Sequence, residues 1–232
     1  MIALVYSELF KYLKKKSIRI LLFSFIFLPI LFSSLIRKAD NTLFSLEPVI
    51  FLLNLCIVII ASGFISLEFE KGTLKNLLIQ PISRIRMIYS KYFALIIMII
   101  FFYILFIIGV IISTIIIKGF IIEYSWVFLF TILQSIILAS ISFFLSLLLK
   151  STSKTVLISL IIVFLGEKIN SLLEKVTSLG KFSLLSNYDL TPYFSSTLEA
   201  GNISLYAAIG ILVIHFLFFN ILLISSVTKF EL

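Results

Sequence analysis

The chain has 232 residues, 61% of them hydrophobic and 13% charged, with 19 Lys and Arg against 11 Asp and Glu for a net charge of +8. Mean hydropathy is +1.23, whereas soluble domains carry about 25% charged residues, so the composition excludes a soluble enzyme and points to a polytopic helical membrane protein. The single cysteine, Cys56, excludes an intrachain disulfide, and no grouping of residues resembles a metal cluster.

Residues 1–17 open the chain with a basic, amphipathic segment. Over Ile2–Lys16, Leu4, Val5, Leu9, Tyr12 and Leu13 share an apolar flank, while Lys11 and Lys14–Lys16 can reach headgroups. Two readings stand: a helix lying on the membrane surface, or a simple basic anchor that orients the first span. Ile20–Ile36 is apolar but lacks a small-x-small cleavage site and is followed by further spans, so it reads as a span and not a cleavable signal.

The second span, Pro48–Leu67, carries a single amide side chain, Asn54. The chain then gathers its polarity in a loop, residues 70–86. Gly72 lets the backbone bend, Thr73 can cap a helix, and Leu74, Leu77 and Leu78 recur at helical spacing with Lys75 facing away until Pro81 ends the turn. Such a short helix suits a groove on a soluble partner; it equally suits an interfacial link between two spans.

The third and fourth spans are Tyr92–Ile117 and Trp126–Leu149. The fourth carries a stripe of small residues, Thr131, Ser135, Ala139, Ser142 and Ser146, with Gln134 beside it, which favours close helix packing. The fifth, Thr155–Val176, has a wholly apolar part only over Val156–Leu165, about half of what a 30 Å hydrocarbon core demands. Glu167 and Lys168 follow, open to two readings: lining an outer vestibule, or snorkelling to headgroups. Residues 167–202 contain Pro192-Tyr193-Phe194, and Ile203–Val227 is the sixth span.

Charge orients these spans. With six crossings, the 19 basic residues divide thirteen to six in favour of the side that holds both termini, so the termini are expected to be cytoplasmic. Topology and anionic lipid then account for the positive charge, and nucleic acid is not needed as a partner.

The loop residues carry a resemblance. Glu68-Phe-Glu-Lys-Gly-Thr-Leu-Lys-Asn-Leu-Leu-x-x-Pro-Ile-Ser-Arg84, followed by Ser90-Lys91, is similar to the signature of type-2 ATP-binding-cassette permeases. The resemblance implies an all-α fold of six transmembrane helices, an N-terminal amphipathic interfacial helix, a cytoplasmic coupling helix and extracellular re-entrant helices before the last span. It implies that Gly72–Pro81 docks on an ATPase, with Leu74, Leu77 and Leu78 as apolar key and Lys71, Lys75 and Arg84 pairing with its acidic residues. Glu68 and Glu70 would brace the helix by pairing with basic residues of the loop or the N-terminal helix. Asn54, Glu167, Lys168, Pro192, Tyr193 and Phe194 become candidates for the pathway and its outer gate.

The partners so implied are two copies of a cytosolic ATPase subunit, which would hold ATP and Mg, a second permease copy or paralogue, and the lipids of a bacterial cytoplasmic membrane. No Gly-x-x-x-x-Gly-Lys-Ser/Thr loop occurs, since Gly180-Lys181 is followed by Phe182. The chain is therefore expected to bind no nucleotide or other cofactor itself and to be no enzyme. His215, the single histidine, lies in the last span without a catalytic partner. With no large domain outside the membrane, cargo is expected to be amphipathic peptides or hydrophobic drugs. Other readings are a non-transporting sensor, scaffold or immunity protein, and an exporter of lipid-linked glycans.

Overall fold

The computed structural model describes residues 1–35, 46–73, 83–117, 125–176, 182 and 205–228. Among them are seven α-helices and no strand: α1 (Ile2–Leu13), α2 (Lys16–Leu35), α3 (Glu47–Glu70), α4 (Arg84–Ile117), α5 (Ser125–Leu149), α6 (Thr152–Val176) and α7 (Leu205–Thr228). In lipid every backbone N–H and C=O must be bonded within the segment, which leaves the helix as the form available to such apolar runs.

Five of the helices, α2, α3, α4, α5 and α7, are long and apolar enough to cross a membrane. The fifth expected span differs. Helix α6 is 25 residues long, but its apolar part stops at Gly166, because charges enter from Glu167 onward. The expected coupling helix and re-entrant helices fall largely on residues 74–82 and 183–204, outside the described residues.

Helix α4 begins at Arg84, eight residues before the expected start of the third span, and runs for 34 residues. Its polar first turns extend the apolar helix without a break, since no Gly or Pro interrupts Arg84–Lys91. Its outward residues, Ile97, Phe101, Ile104 and Ile108, recur at helical spacing, as do Ile214, Phe218 and Ile221 on α7. A protein that turns such continuous apolar faces outward has lipid as its solvent.

The chain divides into two compact units, residues 1–57 with 86–125 and residues 58–85 with 126–232. In the first, Phe25 of α2 meets Phe102 of α4 edge to face with ring centroids 5.8 Å apart, an orientation the ring quadrupoles favour. Gly109 of α4 faces the backbone of α2 so closely that a Cβ there would lie 2.5 Å from the Ile26 carbonyl oxygen. Only glycine permits this approach.

In the second unit, Ile137 and Ile141 of α5 pack with Ala208 and Leu212 of α7, and Ile162 of α6 adds to the cluster. The small-residue stripe of α5 is buried throughout, from Thr131 at 1% exposed to Ser146 at 0%. Ser146 Oγ accepts the Ser66 backbone N–H at 3.0 Å, while the Ser66 and Thr152 hydroxyls lie 3.3 Å apart. The hydroxyls join α3, α5 and α6 at positions where bulky side chains would hold the helices apart.

Candidate functional site

Helix α3 ends at Glu70, and its last side chain reaches the connection between α5 and α6. Glu70 Oε1 accepts the Thr152 backbone N–H at 2.7 Å, Oε2 accepts the Thr152 hydroxyl at 2.7 Å, and the Ser151 hydroxyl donates to Oε1 at 3.4 Å. The first N–H groups of a helix have no partner within it, and the N-terminus favours negative charge. A carboxylate from α3 therefore caps α6.

The same turn is tightened by Lys150, which adopts φ +51° without being glycine, a conformation the surrounding structure must impose. Its ammonium lies 5.5 Å from the centre of the Phe69 ring, so consecutive residues of α3 grip consecutive residues of the α5–α6 turn. Among the described residues Glu70 meets an N–H and two hydroxyls, where the resemblance implies basic side chains. Ser151-Thr152 was the signal available in the sequence, a capping pair at a helix start. Nothing local says which distant carboxylate it takes. Glu68, two residues earlier, is 4% exposed.

After Glu70 the chain turns sharply. Gly72 has φ +65°, the left-handed region that glycine enters at no steric cost, and Lys71, Gly72 and Thr73 are all exposed. Among the described residues no atom lies within 4 Å of where a Gly72 Cβ would stand, so the constraint seen there is its conformation. Gly72→Val is accordingly expected to destabilise the protein by about 1–2 kcal/mol, and Gly72→Asn by clearly less, because Asn tolerates this region. Thermal unfolding of the two variants in detergent checks the order.

Leu74, Lys75, Leu77, Leu78 and Pro81, the centre of the expected docking helix, lie outside the described residues. The chain returns at Ser83 and enters α4 through Arg84, Ile85 and Arg86, all exposed. Two turns into α4, Lys91 is only 1% exposed, and its Nζ lies 2.6 Å from Glu8 Oε1 of α1. Lys11 approaches the other carboxylate oxygen at 3.8 Å.

Helix α1 turns Glu8 and Tyr12 inward and leaves Leu4, Val5, Leu9 and Leu13 half-buried, which is the flank read as apolar from the sequence. Its opposite side carries Ile2, Tyr6 and Phe10, 87%, 68% and 49% exposed. The Tyr6 and Phe10 rings stack at 6.1 Å. Sequence reasoning missed both this second apolar stripe and the role of Glu8, the sole acidic residue before Asp40.

The gate candidates fall largely outside the described residues. Asn54 is buried at 5% exposure, in the half of α3 that belongs to the first unit. Lys168 is exposed on α6, where Glu167 precedes it, but the side chain of Glu167 and all of Pro192, Tyr193 and Phe194 lie outside the described residues. His215 Nδ1 lies 2.8 Å from the Ile211 carbonyl of its own helix, and Asn220 donates to the Phe216 carbonyl at 2.8 Å. Both serve their own helix.

The chain is similar in sequence to known proteins. Residues 4–166 match the family described as ABC-2 family transporter protein, a stretch that contains most of α1, all of α2 to α5, the loop and the apolar part of α6. The chain is 27% identical over 193 residues to the uncharacterised protein YhcI of Bacillus subtilis (strain 168), covering 74% of this chain and 62% of that one. It is 26% identical over 180 residues to the uncharacterised membrane protein YdbK of the same organism, covering 72% of this chain and 73% of that one. The chain thus spans somewhat less than two thirds of the length of YhcI.

Proposed function

The chain belongs to the ABC-2 transporter family, and we propose that it is the membrane-spanning subunit of an ATP-driven exporter, moved by a separate ATPase that docks on the loop between α3 and α4. The observation that carries this reading is the grip of Glu70 on Ser151 and Thr152. A force applied to residues 71–83 reaches the end of α3 directly. Through Glu70 it also reaches the start of α6, so two membrane helices respond to one contact.

In this reading Lys71, Lys75 and Arg84 face acidic residues of the ATPase, and Leu74, Leu77 and Leu78 fill its groove. ATP and Mg are held by that subunit, whose hydrolysis supplies the energy. This chain's residues bind, transmit and reseal. Two permease copies and two ATPase copies form the transporter.

Helix α6 is the fifth of six crossings. Its 25 residues reach about 37 Å at 1.5 Å per residue, beyond the roughly 30 Å of hydrocarbon, with Glu167 and Lys168 at the outer end. Both termini are then cytoplasmic, in a bacterial cell membrane. With cargo recognised within the membrane, amphipathic peptides and hydrophobic drugs are the classes that fit.

The test is assembly. The wild-type chain is expected to co-purify with its co-expressed ATP-binding-cassette ATPase. The double variant Lys75→Glu/Leu77→Asp is expected to lose it, since a charge in a desolvated groove and a reversed rim charge both oppose docking. Retained assembly and ATP-dependent efflux in the double variant would remove the docking assignment.

A further inference from the structure

The docking reading leaves one buried charged pair without a role. Lys91 of α4 is among the largest fully buried side chains, and Glu8 of α1 meets it at 2.6 Å. Taking two charges out of water is costly, and apolar residues of similar size usually pack there as well or better. What an ion pair adds over an apolar contact is direction. It holds two elements at a fixed separation and orientation.

Its place in the chain gives that stiffness a use. Helix α4 starts at Arg84 and continues unbroken past Lys91, so displacement of its first residue is carried along about 10 Å of helix axis to Lys91. Lys91 hands it to Glu8 in the middle of α1. Helix α1 joins α2 within the Lys14-Lys15 turn, where the backbone N–H groups of Ile18 and Arg19 both donate to the Lys15 carbonyl. Lys11, itself exposed, lies 3.8 Å from the second oxygen of Glu8 at this boundary.

We propose that Glu8 and Lys91 are positioning residues of the coupling apparatus. Their ion pair ties α1 to the head of α4, so that a stroke on the preceding loop moves α1 and the start of α2 with it. This inference rests on the docking reading above.

The experiment uses the full chain assembled with its ATPase in lipid nanodiscs, with Cys56→Ser as background. A nitroxide is placed either at Tyr6→Cys, on the exposed side of α1, or at Thr73→Cys, in the loop. Spectra are compared without nucleotide and with ATP, Mg and vanadate.

Both labels are expected to respond in the otherwise wild-type chain. In Glu8→Leu/Lys91→Leu, which retains packing but not direction, Thr73 is expected to respond and Tyr6 to fall silent, although hydrogen exchange shows α1 folded. Glu8→Gln is expected to behave alike at Tyr6, with faster exchange across α1. The swap Glu8→Lys/Lys91→Glu, made with Lys11→Gln to remove the new like-charge neighbour, is expected to restore the Tyr6 response.

A silent Tyr6 beside a responsive Thr73 in the wild-type chain overturns the tie and spares the docking reading. So does an undiminished Tyr6 response in the double leucine variant. Silence at Thr73 removes the docking reading and the tie together.

Discussion

Glu70→Ala is expected to lower ATP-driven export by about tenfold or more while leaving membrane insertion and ATPase binding intact. The side chain is exposed at the end of α3, so its loss opens no cavity. It removes two 2.7 Å hydrogen bonds and a longer third to the α5–α6 turn. The docking surface remains, and the connection that carries motion from it to α6 is cut.

Glu70→Gln keeps an acceptor for the Thr152 N–H but loses the charge that suits a helix N-terminus, so an intermediate defect is expected. Thr152→Val removes one donor and keeps the backbone one, which predicts a smaller loss. Combining Glu70→Ala with Thr152→Val adds little to Glu70→Ala alone, since the two share one interaction. Efflux or resistance measured against peptide and drug panels, with co-purification of the ATPase as control, reads all four. Export unaltered in Glu70→Ala would contradict the transmission route.

Gly109→Ala is expected to destabilise the protein by about 1–3 kcal/mol, and Gly109→Ile to prevent accumulation of folded chain. The added Cβ would stand 2.5 Å from the Ile26 carbonyl oxygen, 3.0 Å from its carbon and 3.1 Å from its Cα. All three are backbone atoms, so no side chain can swing aside, and α2 must move away from α4. The edge-to-face contact of Phe25 and Phe102 joins the same two helices and would be disturbed with it.

Gly210 of α7 is the control. Among the described residues no atom lies within 4 Å of its Cβ position, so Gly210→Ala is expected to be neutral or to stabilise by up to about 1 kcal/mol through helix propensity. Thermal unfolding in detergent separates the two glycines, and equal effects would contradict the close approach.

The spans were legible because lipid-facing apolar runs are long and the polar interruptions short. Gly72 could be read as a bend because few residues besides glycine tolerate φ +65°. Contacts between distant helices could not be read. Glu70 carries the same local information whether it pairs with a lysine or caps α6, and the choice is made by where Thr152 arrives. Glu8 looked incidental in a helix judged by its lysines and apolar flank, yet it is the residue that meets buried Lys91. The fifth span stayed ambiguous for a physical reason that persists in the structure: α6 is one continuous helix whose second half carries charge.

The central claim is that an ATPase pushes on the loop between α3 and α4. Thr73→Cys in a Cys56→Ser background places one thiol at the exposed start of that loop. Treated with a short thiol-to-amine cross-linker in membranes that contain the co-expressed ATPase, it is expected to give a covalent permease–ATPase product. The same thiol moved to exposed Phe101→Cys on the outward face of α4 gives none. A Thr73 thiol that labels freely yet yields no ATPase adduct, in membranes where the two proteins co-purify, would contradict the account.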